Sequence, residues 1–281
     1  MRTTAVIIII ALLVLGFGWL TYYAARHSRG EPVAVAAPER FSLNVPFIDQ
    51  TIDVTNGLSA TVWDSLAVQK FDLIYQLMAL PWPQKLVPAV EVKAFHNRRA
   101  IYYLLQWTDD SVDQMIAPGK FADACAIMFP LGDEVKSASL MMGFLGKSNI
   151  WQWKASQDQA YWTRSTPEAE AAYSDYTYPF EAQETLPVSL QTPVSAVNNL
   201  ISIRIGTITL KSNQDVHGRG LWTNGQWRVM FSRAFNAQDA DTEAAFAPGT
   251  EKFCAFAVWN GAAGDRGGRK SISSMIHLNI N

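Results

Sequence analysis

The chain has 281 residues, of which 49% are hydrophobic, enough apolar material for one large or two small domains; this excludes a disordered chain. With 23 basic against 25 acidic side chains, the formal net charge of −2 offers no broad field to gather nucleic acid, so no nucleic acid is expected as a partner. The two cysteines, Cys125 and Cys254, lie far apart in apolar, strand-like runs. That separation excludes a CxxC motif and leaves either two core thiols or one disulfide, which an exported protein would permit.

Residues Thr3 to Ala25 carry no charge, and about 20 apolar residues in a helix cross a bilayer core. Residues 1–29 are read as a retained N-terminal membrane anchor, with a cleaved signal peptide as the alternative. Arg26-His27-Ser28-Arg29 follows the apolar run before any small-residue cleavage site, which favours the anchor. Arg2 faces Arg26 and Arg29 across the run, a balance that leans weakly against an exported C-terminal domain. Residues 30–40, rich in Pro, Ala and Val, read as a linker, and the folded domain is expected at 41–281.

Within that domain the dominant period is two: Ala89–Phe95, Ala100–Trp107, Ala124–Phe129, Ile201–Thr209, Trp227–Phe231, Phe253–Trp259 and Ile272–Ile280 all predict strands. The polar stretch His96-Asn97-Arg98-Arg99 predicts a turn joining the first two as a hairpin. Helical periodicity is confined largely to Asp239–Phe246, with a further short helix expected around 167–173. The fold class is therefore all-β, an antiparallel β-sandwich with long loops and short helices, preceded by one N-terminal transmembrane helix. The stretch from Gln157 to Thr192 shows no clean period and is too long for an ordinary connection, so it reads as a functional loop or a solvated excursion.

Local motifs exclude more than they assign. The chain has no GxSxG, Walker, GxGxxG or HExxH sequence, and none of its four histidines belongs to a CxxCH haem-attachment motif. Asp109, Asp110 and Asp113 read as a turn with a solvated face, and Gly264–Lys270 as a flexible basic loop. In Met141–Lys154, a methionine pair and two glycines run into the indole-rich strand Asn149–Trp153, which suggests a lined pocket. On spacing alone, those methionines are core fillers.

A set of segments occurs in a recognisable order: Val92–Asn97, Ile101–Asp109, Phe121–Ala124, Phe129-Pro130, Met142-Gly143, Asn149–Ala155 and Phe256–Gly261, then Arg266, Lys270 and Ser273. From about Thr51 onward the chain resembles the haem b-binding gamma subunits of the type II dimethyl-sulfoxide-reductase family of molybdenum enzymes. These include the gamma subunits of ethylbenzene dehydrogenase, dimethylsulfide dehydrogenase, selenate and chlorate reductases, and nitrite oxidoreductase. The resemblance implies a β-sandwich holding one non-covalent haem b, with Met142 and Lys270 as axial ligands and Met141 as the fallback for Met142. It further implies a non-catalytic electron-transfer subunit beside an iron–sulfur subunit and a molybdenum-cofactor subunit, exchanging electrons with a periplasmic cytochrome c or the quinone pool. Its place would be the periplasmic face of the cytoplasmic membrane, held by the N-terminal helix. The rival expectation, from a different class, is a membrane-tethered carbohydrate- or ligand-binding β-sandwich without haem, in which Trp151, Trp153 and Trp162 stack on sugar rings.

Overall fold

The computed structural model describes residues 19, 41–76, 85–132, 146–163, 193–203 and 207–281. The anchor run apart from Trp19, the linker, the short helix expected at 167–173, and Met141 and Met142 all lie outside those residues. Among the described residues, no helix is long and apolar enough to cross a membrane. Phe41–Asn281 forms one compact unit.

Its described residues form thirteen strands: β1 Ser42–Val45, β2 Gln69–Tyr75, β3 Ala89–His96, β4 Ala100–Thr108, β5 Ala124–Pro130, β6 Ser148–Lys154, β7 Val197–Ser202, β8 Ile208–Leu210, β9 His217–Thr223, β10 Gln226–Ala234, β11 Glu251–Trp259, β12 Ser271–Ser273 and β13 Ile276–Ile280. One hydrogen-bonded path runs β8-β7-β6-β5-β11-β12-β2-β3-β4-β10-β9, and β13 joins β11 to β1. The two halves of this path face each other. Tyr103 of β4 lies 6.0 Å from Trp151 of β6, and Trp227 of β10 lies 4.9 Å from Trp153. The expected sandwich is present, with aromatic side chains filling the space between its sheets. One pair departs from the antiparallel pattern, because β1 runs parallel to β13.

The β3–β4 hairpin forms with His96 opposite Ile101. Its turn buries His96 and Asn97 and exposes Arg98 and Arg99: Asn97 Oδ1 accepts the N–H groups of Arg99 and Ala100, while Arg98 takes a positive φ of 65°. Three expectations need correction. The run 201–209 contains two strands, because Ser202 pairs back onto Ile208 and the same alternation continues on both sides of the turn. The run 272–280 is also two strands. Ala257 opposes Ile272 whereas Cys254 opposes Ile276, so three residues face two in a bulge, and Ser273 Oγ takes the Phe256 N–H. Asp239–Phe246 is a closed turn instead of a helix. Asp239 accepts from Asp241 N and Thr242 Oγ1, Glu243 folds back onto Gln238 N, and Ala247 before Pro248 disfavours helical continuation.

Asn149 ties the core together beneath that turn. Its amide donates to Asn199 Oδ1 at 2.7 Å and Leu200 O at 3.0 Å, while its oxygen accepts Trp151 Nε1 at 3.0 Å and Ala244 N at 3.2 Å. Replacing Asn149 with Ala strands two buried donors, and is expected to cost about 2–4 kcal/mol. Urea unfolding followed by tryptophan fluorescence measures that loss.

Candidate functional site

Opposed residues in a sheet share a face, and the register of four neighbouring strands assembles one unusual face. Gln152, Ala126, Ala257 and Ile272 stand in a row across β6, β5, β11 and β12, with Ala124 opposite Trp259 beside them. Ala124, Ala126, Ala257, Trp259 and Ile272 are all buried and pack together, separate from the inter-sheet core. Methyl groups in the middle of such a face leave it flat and apolar.

Lys270 overhangs this face. Ser271 pairs with Val258, so Lys270 falls opposite Trp259, and its Nζ lies 4.6 Å from the indole centroid. The residue is only 8% exposed, its backbone oxygen accepts Gln76 N at 3.0 Å, and among the described residues no carboxylate pairs with it. Burial pushes the amine down to about 7, which leaves a lone pair available near neutral pH. A cation–π contact offsets at most about 2 kcal/mol of such desolvation. The position therefore weakens the fold, as functional side chains often do.

The loop carrying Lys270 is held by acids. Gly261 N donates to Asp123 Oδ1 at 2.8 Å, Asn260 N to Asp265 Oδ2 at 3.1 Å, and Asn260 Nδ2 to Asp109 Oδ1 at 3.3 Å. Asp123 Oδ2 also accepts Asp113 N and Trp227 Nε1. Only glycine fits at 261, since a Cβ there would sit 2.0 Å from Phe121 O. Burial, then repulsion from Asp109, raises Asp123 to about 7; burial also raises Asp265 to about 6 and lifts Asp109. This corrects two expectations. Asp110 is solvated and pairs with Lys85, but Asp109 is buried, and Gly264–Lys270 is pinned by hydrogen bonds instead of flexible.

Of the two expected ligands, the structure describes Lys270; Met141 and Met142 fall in the connection between β5 and β6, outside the described residues. His96 is fully buried with Nε2 2.7 Å from Asn281 O and Nδ1 accepting Arg98 N, so both ring nitrogens are engaged. His277 pairs with Glu251, and His217 is exposed at the start of β9. The pocket expected beside the indole-rich strand is not lined by its tryptophans. Trp151 and Trp153 are fully buried in the inter-sheet core, and Arg219 covers Trp162 with Cζ 4.8 Å from its ring. Trp151 and Trp153 therefore have no exposed face for a sugar ring. Cys125 and Cys254 are buried free thiols, which removes the disulfide alternative. Sequence reasoning missed the alanine face and Asp123; alternating alanines in two adjacent apolar runs were the available signal.

Fold and site together define an all-β sandwich that offers a buried amine to a flat apolar face. The chain belongs to the ethylbenzene dehydrogenase family, whose model matches residues 60–271. It is 24% identical over 193 residues to a protein of Haloferax mediterranei named as respiratory nitrate reductase heme subunit ORF7, covering 68% of this chain and 56% of that one. To dimethylsulfide dehydrogenase subunit gamma of Rhodovulum sulfidophilum it is 27% identical over 190 residues, covering 65% and 56%. The chain thus spans little more than half the length of these relatives. A family 9 carbohydrate-binding module of Caldicellulosiruptor kristjanssonii, solved with glucose and with cellotriose, aligns with 10% and 12% identity and a TM-score of 0.43 in each case. Those alignments cover 85% of this chain and 95% and 94% of the module.

Two stability experiments follow from these charges. A carboxyl raised from 3.8 to about 7 binds its proton more tightly when folded, so its contribution is complete below pH 4 and is lost as pH rises to 7. Asp123→Asn should flatten that part of the stability–pH curve in urea titrations and lower stability below pH 7, because its amide nitrogen replaces one acceptor and strands either Gly261 N or both the Asp113 and Trp227 donors that share Oδ2. Lys270 runs the other way: its amine, lowered from 10.5 to about 7, costs stability below pH 7 and recovers it as pH climbs to 10.5. Lys270→Met should stabilise the cofactor-free protein at pH 6 by on the order of 3 kcal/mol, with the gap closing towards pH 10.

Proposed function

We propose that the chain is an electron-transfer subunit, and not itself a catalyst, that holds one non-covalent haem b between Lys270 and Met142, with Met141 the neighbouring alternative. It relays electrons between the iron–sulfur subunit beside a molybdenum-cofactor catalytic subunit and a periplasmic cytochrome c or the quinone pool. The apolar run 3–25 tethers it to the membrane, with the β-sandwich on the periplasmic side.

The observation that carries this reading is the buried Lys270 amine, with no carboxylate partner among the described residues, beside a flat alanine face. Family membership supports it, as do the names of the two relatives, one a heme subunit and the other a gamma subunit. A bound haem supplies a one-electron ferric–ferrous couple. The chain's residues supply the rest. Lys270 offers a neutral nitrogen, which its burial makes accessible near pH 7. Trp259 fixes the height of that amine, and its own Nε1 is anchored on Gly267 O at 3.0 Å. Ala124, Ala126 and Ala257 admit a planar ring that longer side chains would hold away, and their burial keeps water off it. A methionine thioether favours ferrous iron and raises the potential.

Absorption spectroscopy of the purified full-length protein tests the reading. A Soret band with low-spin ligand-field features is expected. Lys270→Ala should retain haem but shift those features, and acidification below the lysine's range should mimic it, because a protonated amine cannot coordinate. Met142→Ala should lower the reduction potential. The reading fails if Lys270→Ala leaves the low-spin spectrum untouched while His96→Ala, His217→Ala or His277→Ala abolishes it.

A further inference from the structure

Four residues before Lys270 the chain makes a miniature hairpin. Arg266 N donates to Arg269 O at 3.0 Å and Arg269 N to Arg266 O at 2.8 Å, around Gly267-Gly268, with Gly267 at φ 51°. Two residues that exchange both backbone bonds stand about 5.5 Å apart at Cα and project side chains to the same face. Two guanidinium groups are thereby placed side by side, an arrangement that costs stability when like charges are directly opposed.

The fold holds both groups in place instead of letting them splay. Arg266 NH1 donates to Gly264 O at 2.9 Å and its Cζ lies 4.6 Å from the Phe121 ring centroid, while Arg269 NH2 donates to Ala263 O at 3.2 Å. Arg269 Nε is buried without a hydrogen bond, 4.0 Å from Asp265 Oδ1. Asp265 is the carboxylate in reach, and its burial discourages the charge that would balance two arginines. Each guanidinium has five N–H donors, and among the described residues these contacts engage only part of them. The hairpin is also joined to the Lys270 site, since Gly267 O accepts the indole N–H of Trp259, the ring under the lysine amine.

We infer that Arg266 and Arg269 form the carboxylate-binding edge of the cofactor site and receive the haem propionates, an assignment that rests on the haem reading of Lys270. A flat macrocycle on the alanine face brings two carboxylates on one edge, and paired guanidiniums match carboxylates in charge and in planar, bidentate geometry. The otherwise costly opposition of the two arginines then becomes binding energy. Lysine at these positions would keep the charge and lose the fork.

A charge-deletion cycle on protein and ligand tests this. The full-length protein, stripped of haem, is titrated with haem b and with haem b dimethyl ester, whose propionates carry no charge. The wild type should prefer the free acid by at least about tenfold. Arg266→Gln/Arg269→Gln should bind both forms with nearly equal affinity while keeping the low-spin bands that Lys270 sets. Arg266→Lys/Arg269→Lys should recover part of the preference. Should the double glutamine variant fail to fold, Arg266→Gln alone, which leaves the Arg269 contacts intact, should cut the preference at least about threefold. Equal wild-type affinity for acid and ester overturns the propionate assignment and leaves the haem reading standing, as does an undiminished preference in the glutamine variants; such a result turns the pair over to acidic groups on a partner. A wild type that binds neither form removes the haem reading itself.

Discussion

The register of β11 between β5 and β12 is the constraint on which everything functional depends. Opposition of Ala257 to Ala126 on one side and Ile272 on the other puts Phe256 and Val258 into the inter-sheet core and the alanines on the opposite face. A slip of one residue would exchange the two sets, sending phenylalanine and valine to the flat face and alanines into the core. Such a slip is opposed from several directions. The core side is locked by Phe256 against Phe71, and the loop beyond Trp259 is locked by carboxylates on Asn260 and Gly261. The buried acids thus hold a strand end, Trp259, in position so that the residue eleven places later, Lys270, falls above that indole.

The site is costly by ordinary stability rules. It gathers a buried amine with no counter-charge among the described residues, three carboxyls whose burial favours protonation, and two arginines set against each other. Elsewhere a network through Asn149, Asn199 and Arg233 satisfies several buried polar groups, although Tyr103 Oη and Ser148 Oγ are buried without a hydrogen bond. Concentration of a buried amine, three carboxyls and two arginines around one loop marks that edge as selected for something other than folding.

Much of the fold was legible because period two over six or more residues has one meaning, and β3, β4, β5, β10 and β11 all follow it. The strand β9 was not, since Gly218 and Gly220 interrupt its pattern. The structure explains them: a Cβ at 220 would lie 2.1 Å from Trp153 Cζ2, and one at 218 would lie 2.5 Å from Val197 Cγ2. Period two also leaves open which face is inward. In Asn149–Trp153 both faces are apolar, so the tryptophans read as pocket lining although they are core. Lys270 was visible only through family resemblance, because a lysine ending a Gly- and Arg-rich stretch has every local mark of a solvated loop. Asp109 was misread for a similar reason. An acid next to an acid after a strand says nothing about which distant turn will fold over it, and here that turn comes from Asn260, 151 positions along the chain.

The pairing of β1 with β13 and of β2 with β12 has a consequence in time. Residues 42–45 find their partners at 277–280, and Tyr75 finds Ser271, so these ladders join nearly opposite ends of the chain. Contacts of such high order are closed late, because the loop entropy is spent before the ladder returns it. During synthesis, β11 emerges without β12 at its edge, and the lysine with its hairpin follows β11. Assembly of the site therefore waits for β12 and the hairpin before it, and any group that occupies it must arrive after β5 and β11 have been made.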